Sequence, residues 1–201
     1  MSLTASESGG GDFTPVAEGT HIARCVRIID LGLQPGSPQY PDAKQKVLFV
    51  WEVPAEKEHD QPGLLMKRYT LSLHKKAGLR ADLESWRGRA FTDAELKGFA
   101  LRNVLDAPCM IAVVHSPDGK FANVRSVSKM PRGVGCPERV LDLVYYEVED
   151  GKNAVYLALS EKLRATVDVG AAAMSTPAPA ASVPHPAEHE PDFADDADCP
   201  F

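Results

Sequence analysis

The chain has 201 residues, with 22 Lys and Arg against 28 Asp and Glu, a formal net charge of −6, and four cysteines. That length suits one domain with tails, and no apolar run reaches the roughly 18 residues a membrane-spanning helix needs. The N-terminus MSLTASESGGGDF lacks the basic and apolar regions of a signal peptide, so a cytoplasmic protein without membrane contact is expected, with residues 1–12 as a flexible leader.

From Thr20 to Leu31 the chain is β-branched and basic, and Gly32 with QPGSPQYPD follows. This predicts a strand and then a Pro/Gly-rich loop. Lys46 to Val53 alternates: Val47, Phe49, Trp51 and Val53 share one face, and Leu48, Val50 and Glu52 the other. PAEKEHDQPG predicts a polar loop, and Met66 to Leu73 a third strand. In KKAGLRADLESW, Leu79, Leu83 and Trp86 form the apolar stripe of a core-facing helix. FTDAEL carries a capping box: Thr92 caps, Glu95 reaches back, Phe91 staples to Leu96, and Gly98 ends the helix. Ala107 to His115 predicts a fourth strand, SPDG a tight turn with Asp118-Gly119 at its centre, and Lys120 to Ser128 a fifth. Val140 to Val148 predicts an extra strand, and Ser160 caps a last helix, EKLRATV.

From Gly170 to Pro191 the composition turns Ala/Pro-rich and low in complexity, which predicts a tether that buries no core. The expected division is therefore leader 1–12, folded unit with C-terminal extension 13–168, linker 169–191 and acidic tip 192–201. The tip, DFADDADCPF, joins aspartates to a closing Pro and Phe. That is the layout of a docking peptide, with Asp195, Asp196, Asp198, Pro200 and Phe201 as the partner-binding residues.

The strand, strand, strand, helix, strand, strand order is that of the OB-fold. The expectation is a mainly β protein: a five-stranded barrel with its helix between strands 3 and 4, binding oligonucleotides around strands 2 and 3. Charge patterning agrees with a polyanion-binding body. Thr20 to Arg132 holds 18 Lys and Arg against 12 Asp and Glu, whereas Glu188 onward holds six acids and no Lys or Arg. A mixed surface with a solubilising tail explains the same numbers.

Sequence-independent binding of single strands needs cations to track phosphates and aromatic faces to stack bases, each stacked base worth ~1–3 kcal/mol. The candidates are Arg24 and Arg27 on strand 1, Lys46 and Trp51 on strand 2, Lys67, Arg68 and Tyr69 on strand 3, and Lys120, Phe121 and Arg125 at strand 5. Tyr69 is the better platform, because its neighbours are basic and its hydroxyl wants a wet edge. Phe49 and Trp86 read as core, and Trp51 shares the face of Phe49. Lys75, Lys76, Arg80, Arg87 and Arg89 are solvated or extend the phosphate track.

Catalytic patterns are weak. His185 and His189 have metal-ligand spacing in a Pro-rich tether, and nothing orients His74, His115 and Cys109 as a nucleophile set. Asp42, Glu52 and Glu56 with Lys57 have no specific nuclease spacing. Cys25, Cys109, Cys136 and Cys199 are scattered and form no zinc or disulfide pattern. No enzyme and no cofactor are expected.

The acidic tip ending in Pro-Phe resembles that of bacterial single-stranded DNA-binding proteins (SSBs), with Cys199 where that family carries a bulkier aliphatic. The middle of the chain resembles a phage-encoded SSB-like family through VLFVWEV, RYTLSLHKKAGLRADLESWRGRAFTDAEL and KFANVRSVSKMP. The resemblance implies an OB fold, sequence-independent single-stranded DNA binding in replication or recombination, and recruitment of replication enzymes by the tip, in the host cytoplasm for a phage protein. It leaves homo-oligomer assembly open. The alternatives are a strand-annealing accessory protein and an interaction adaptor that binds no DNA.

Overall fold

The computed structural model describes residues 14–175 apart from 37, 40, 59 and 60. The expected leader and acidic tip lie outside the described residues, as do Cys199, His185 and His189. In chain order the elements are β1 (Gly19–Gln34), β2 (Lys44–Glu58), β3 (Gln61–Thr70), α1 (Gly78–Arg87), α2 (Asp93–Lys97), β4 (Pro108–His115), β5 (Ala122–Ser128), β6 (Val144–Tyr146), α3 (Ala154–Ala158) and α4 (Glu161–Ser175). Among the described residues, no helix is long and apolar enough to cross a membrane.

The protein is mainly β. The hydrogen-bonded path is β3-β2-β1-β4-β5, antiparallel throughout, and β6 adds a sixth strand parallel to β1. The expected closed five-stranded barrel is corrected here: β3 and β5 end the path and share no ladder, so the sheet is open.

Strand alternation sorts the apolar residues into two cores. On one face Ala23, Cys25 and Ile28 of β1 join Val47, Phe49, Trp51 and Val53 of β2, Leu65 and Tyr69 of β3, and Leu79, Leu83 and Trp86 of α1. On the other face Val26, Ile29, Leu31, Leu48 and Val50 lie beneath Tyr146, Tyr156, Leu159 and Val167 of the C-terminal extension. Each Val, Leu, Ile or Phe among them contributes roughly 1.5–3 kcal/mol when fully buried. β1 and β2 are thus sandwiched, which accounts for their near-continuous apolar runs.

Local chemistry sets the ends of the elements. Gly88 (φ 68°) closes α1, a left-handed position that suits glycine. Thr92 and Glu95 form the predicted capping box of α2: Thr92 Oγ1 accepts from the Glu95 N–H, and the Thr92 N–H donates to Glu95 Oε2 over 2.9 Å. Cys25 and Cys109 are buried thiols, and burial raises both thiol pKa values far above the ordinary range.

Three boundaries differ from the sequence reading. β2 and β3 run through most of the expected 54–63 loop, with an irregularity between Val53 and Lys57 absorbing its polar residues. The extra strand is only three residues long, because the 133–143 stretch is held as an irregular strap instead. Residues 169–175 are helix rather than tether: three alanines give this turn of α4 strong helix propensity, and Gly170 is buried against β1.

That crossing is very close. A Cβ on Gly170 would lie 1.9 Å from the Leu31 carbonyl oxygen, and a Cβ on Gly32 (φ +68°) would lie 2.6 Å from the Gly170 carbonyl carbon. Two glycines facing each other let the helix backbone rest on the strand backbone. Gln34 adds a hydrogen bond from Nε2 to the Thr166 carbonyl at 3.0 Å.

Candidate functional site

The β1–β2 loop, the end of β3 and the β3–α1 loop meet at one end of the sheet. The groove between them has a volume of about 770 Å3. Lys44, Lys67, Arg68, His74 and Lys76 supply its basic lining, Leu33, Leu71 and Leu79 its apolar lining, and among the described residues no carboxylate lines it. β2–β3 pairing sets Lys67 opposite Phe49 and Arg68 opposite Leu48. The two cations therefore leave opposite faces of the edge strand and straddle it.

Lys67 is held from below. Its Nζ lies 2.7 Å from Asp82 Oδ2 on α1, and the same oxygen accepts the Tyr69 hydroxyl at 2.7 Å. Arg68, Lys44 and Lys76 are exposed. The groove thus combines one tethered cation with three solvated ones. Its charge suits it to an extended polyanion.

Two predicted platforms are corrected. Tyr69 is 5% exposed and Trp51 1%. Both rings pack on Phe49, Tyr69 edge-on at 5.4 Å and Trp51 stacked at 5.6 Å. In place of the wet edge expected for the Tyr69 hydroxyl stands the half-buried carboxylate of Asp82, and burial together with that charge pushes its pKa well above the ordinary value. Trp51 lies against Trp86 at 6.2 Å. An aromatic on a two-sided strand is worth more in a core than on a surface, and neither ring can stack a base here.

The other predicted residues are dispersed. Lys46 is half-buried on β2 opposite Thr70, next to the groove. Arg24 serves the fold: its Nη1 donates to the Asp106 carbonyl at 2.9 Å and carboxylate at 3.2 Å, and its Nη2 donates to the Pro137 carbonyl at 3.2 Å. Arg27 faces β6 and lines a separate pocket. Lys120 and Phe121 sit at the β4–β5 turn, beyond the Gly19 end of β1, whereas Leu33 and Lys44 mark the groove at the other end. Phe121 is 63% exposed and is the only exposed aromatic among the described residues. Arg125 is exposed on β5. The structure therefore brings Lys67 and Arg68 together with Lys44, His74 and Lys76, and leaves Arg24, Arg27, Lys120, Phe121 and Arg125 outside.

The catalytic candidates do not assemble. His74 lines the groove, His115 Nε2 lies 2.8 Å from the Val16 carbonyl, and Cys109 is in the core. Glu52 is fully buried and accepts the backbone N–H groups of Val140 and Leu141 at 3.0 and 2.9 Å, which pins the strap. Among the described residues, no three His, Cys, Asp or Glu side chains form a metal-binding group.

Comparison of the chain with protein-family models, curated proteins and solved structures gave no match.

Proposed function

We propose that this protein binds single-stranded DNA without sequence preference, through the groove of Lys44, Lys67, Arg68, His74 and Lys76. The observation that carries this reading is the groove's composition: three solvated cations and one tethered cation along an open channel that no described carboxylate lines. Such a channel attracts phosphates of any sequence, and binding releases counterions. Strand order supports the finer reading of the fold as an opened OB-type Greek key. β1 sits between β2 and β4, β3 follows β2, β5 follows β4, and α1 falls between β3 and β4. The groove then occupies the strand 2–3 and first-loop position at which OB-folds bind oligonucleotides. Replication or recombination is the setting that fits, with the acidic segment ending in Pro200-Phe201 recruiting partner proteins.

The test is the anisotropy of a labelled oligo-dT against a matched duplex, over a range of salt. The expected result is saturable binding to the single strand, weak binding to the duplex, and a log–log salt slope of about −0.7 per phosphate neutralised. Charge reversal at Arg68 and Lys76 together should weaken binding to every sequence equally. Unchanged affinity in that variant removes the groove from the proposal, and absence of binding at low salt leaves the adaptor reading.

A further inference from the structure

A second pocket, of about 440 Å3, lies where the C-terminal extension meets β1. Its walls are Leu141, Val144, Val155, Ala158 and Leu159, and its one cation is Arg27. β1 sets Arg27 between Val50 on one side and Val144 on the other. Its Nε is buried without an acceptor, and the guanidinium makes no hydrogen bond or ion pair among the described residues. Three other half-buried arginines differ: Arg24 faces Asp106, Arg80 faces Glu84 and Arg87 faces Glu95. A partly desolvated cation without an ion-pair partner is costly, so this is a place where an anion gains more than it would at the surface.

We propose that this pocket binds an apolar monocarboxylate, a single carboxylate carried on an aryl or short alkyl body. The guanidinium fork presents paired N–H donors that match two carboxylate oxygens. The aliphatic walls give the hydrocarbon body its place, and the volume falls within the ~300–1,000 Å3 of small-ligand pockets. Asp142, the only described carboxylate in the lining, makes no ion pair with Arg27, and its charge opposes a multiply charged phosphate more than a single carboxylate, so a nucleic-acid strand is a poor occupant. The wall is preset: Glu52 holds the Leu141 N–H at 2.9 Å and so keeps Leu141 in position. A ligand here would tie β1 to the β6–α3 layer and raise the melting temperature by mass action.

The experiment is a titration of the full-length protein with phenylacetate and hexanoate, followed by amide NMR shifts and by melting temperature. Phenylacetamide and inorganic phosphate are the control probes. The expected result is saturable shifts around Arg27, residues 141–144 and residues 154–159 with both carboxylates, a higher melting temperature, and little response to the amide. Arg27→Gln should weaken binding by roughly tenfold or more, the loss expected for a charge-assisted hydrogen bond, and Asp142→Asn should strengthen it. Ala158→Trp fills the pocket while Arg27 stays in place, and should abolish binding even where Arg27→Gln proves unstable. Absence of saturable shifts at millimolar carboxylate overturns the site. Equal response to phosphate or to the amide overturns the ligand class. Weaker carboxylate binding in Asp142→Asn overturns the electrostatic assignment.

Discussion

The hydroxyl of Tyr69 donates to Asp82 Oδ2 over 2.7 Å. This bond makes an edge-strand tyrosine a core residue and fixes the helix on which the groove rests. A hydrogen bond to a charged group contributes about 1.5–3 kcal/mol, and Lys67 still holds Asp82 when the hydroxyl is removed. Tyr69→Phe is therefore expected to cost about 1–2 kcal/mol in urea unfolding. Single-strand affinity should stay the same, because the ring is buried. A large affinity loss with little stability loss would return Tyr69 to the role of a stacking platform.

Asp82 also holds Lys67 Nζ at 2.7 Å, which takes one cation partly out of service. Asp82→Asn should release it and remove a negative charge beside the groove. The expectation is tighter binding of oligo-dT at low salt, with a salt slope steeper by about 0.7 if Lys67 takes up one more phosphate. An unchanged slope would mean that the strand does not pass Lys67.

Both tryptophans are buried, Trp51 at 1% exposure and Trp86 at 5%. Their emission should be blue-shifted and poorly quenched by acrylamide, and should change little when a single strand binds. Trp51→Phe removes contacts with Phe49 and Trp86 and is expected to destabilise the protein by about 2 kcal/mol, below the 3–5 of a truncation to Ala. Strong quenching by DNA in the wild-type protein, lost in Trp51→Phe, would contradict this placement.

Glu95 gives a pH signature. Arg89, the Thr92 N–H and Arg87 together lower its pKa from an ordinary 4.5 to about 2. A carboxylate with a lowered folded-state value stabilises the fold above the unfolded value, and that contribution disappears as pH falls through the folded one. Wild type should therefore exceed Glu95→Gln in stability at neutral pH, and the gap should narrow between about pH 4.5 and 2. A gap that stays constant across that window would show that the capping box works without the charge.

Gly170→Ala tests how α4 is seated. Its Cβ would meet the Leu31 carbonyl oxygen at 1.9 Å, so helix or strand must move, and overpacking of this kind costs about 1–3 kcal/mol or more. Amide exchange should accelerate in α4 and across the outer faces of β1 and β2, and much less in β4 and β5. Uniform destabilisation would indicate that the extension unfolds only with the whole molecule.

Much of this fold was legible where a local rule acts alone. The alternation of Val47 to Val53, the stripe of Leu79, Leu83 and Trp86, and the Thr92–Glu95 box all depend on neighbours within a few residues, and all three appear in the structure. The destinations of Trp51 and Tyr69 were not legible, because alternation assigns a face without saying what covers it. β1 and β2 turn out to be covered on both faces. The helical end of α4 was obscured for a related reason: an alanine-rich run carries little sign of burial, and Gly170 reads as a breaker until Leu31 is seen beneath it. Lys67 and Arg68 stand out as basic neighbours on one strand, and Lys76 as a basic residue of the following loop. Their union with Lys44 and His74 depends on two loops meeting.

The second core also bears on where this chain can be cut. The strands that look complete by Ser128 carry Val26, Ile29, Leu31, Leu48 and Val50 on a face that only later residues shield. A fragment ending near Pro131 would turn that face into an adhesive sheet, prone to self-association. The smallest well-behaved unit should reach at least Ser175, and a label, fusion partner or surface attachment belongs beyond that point.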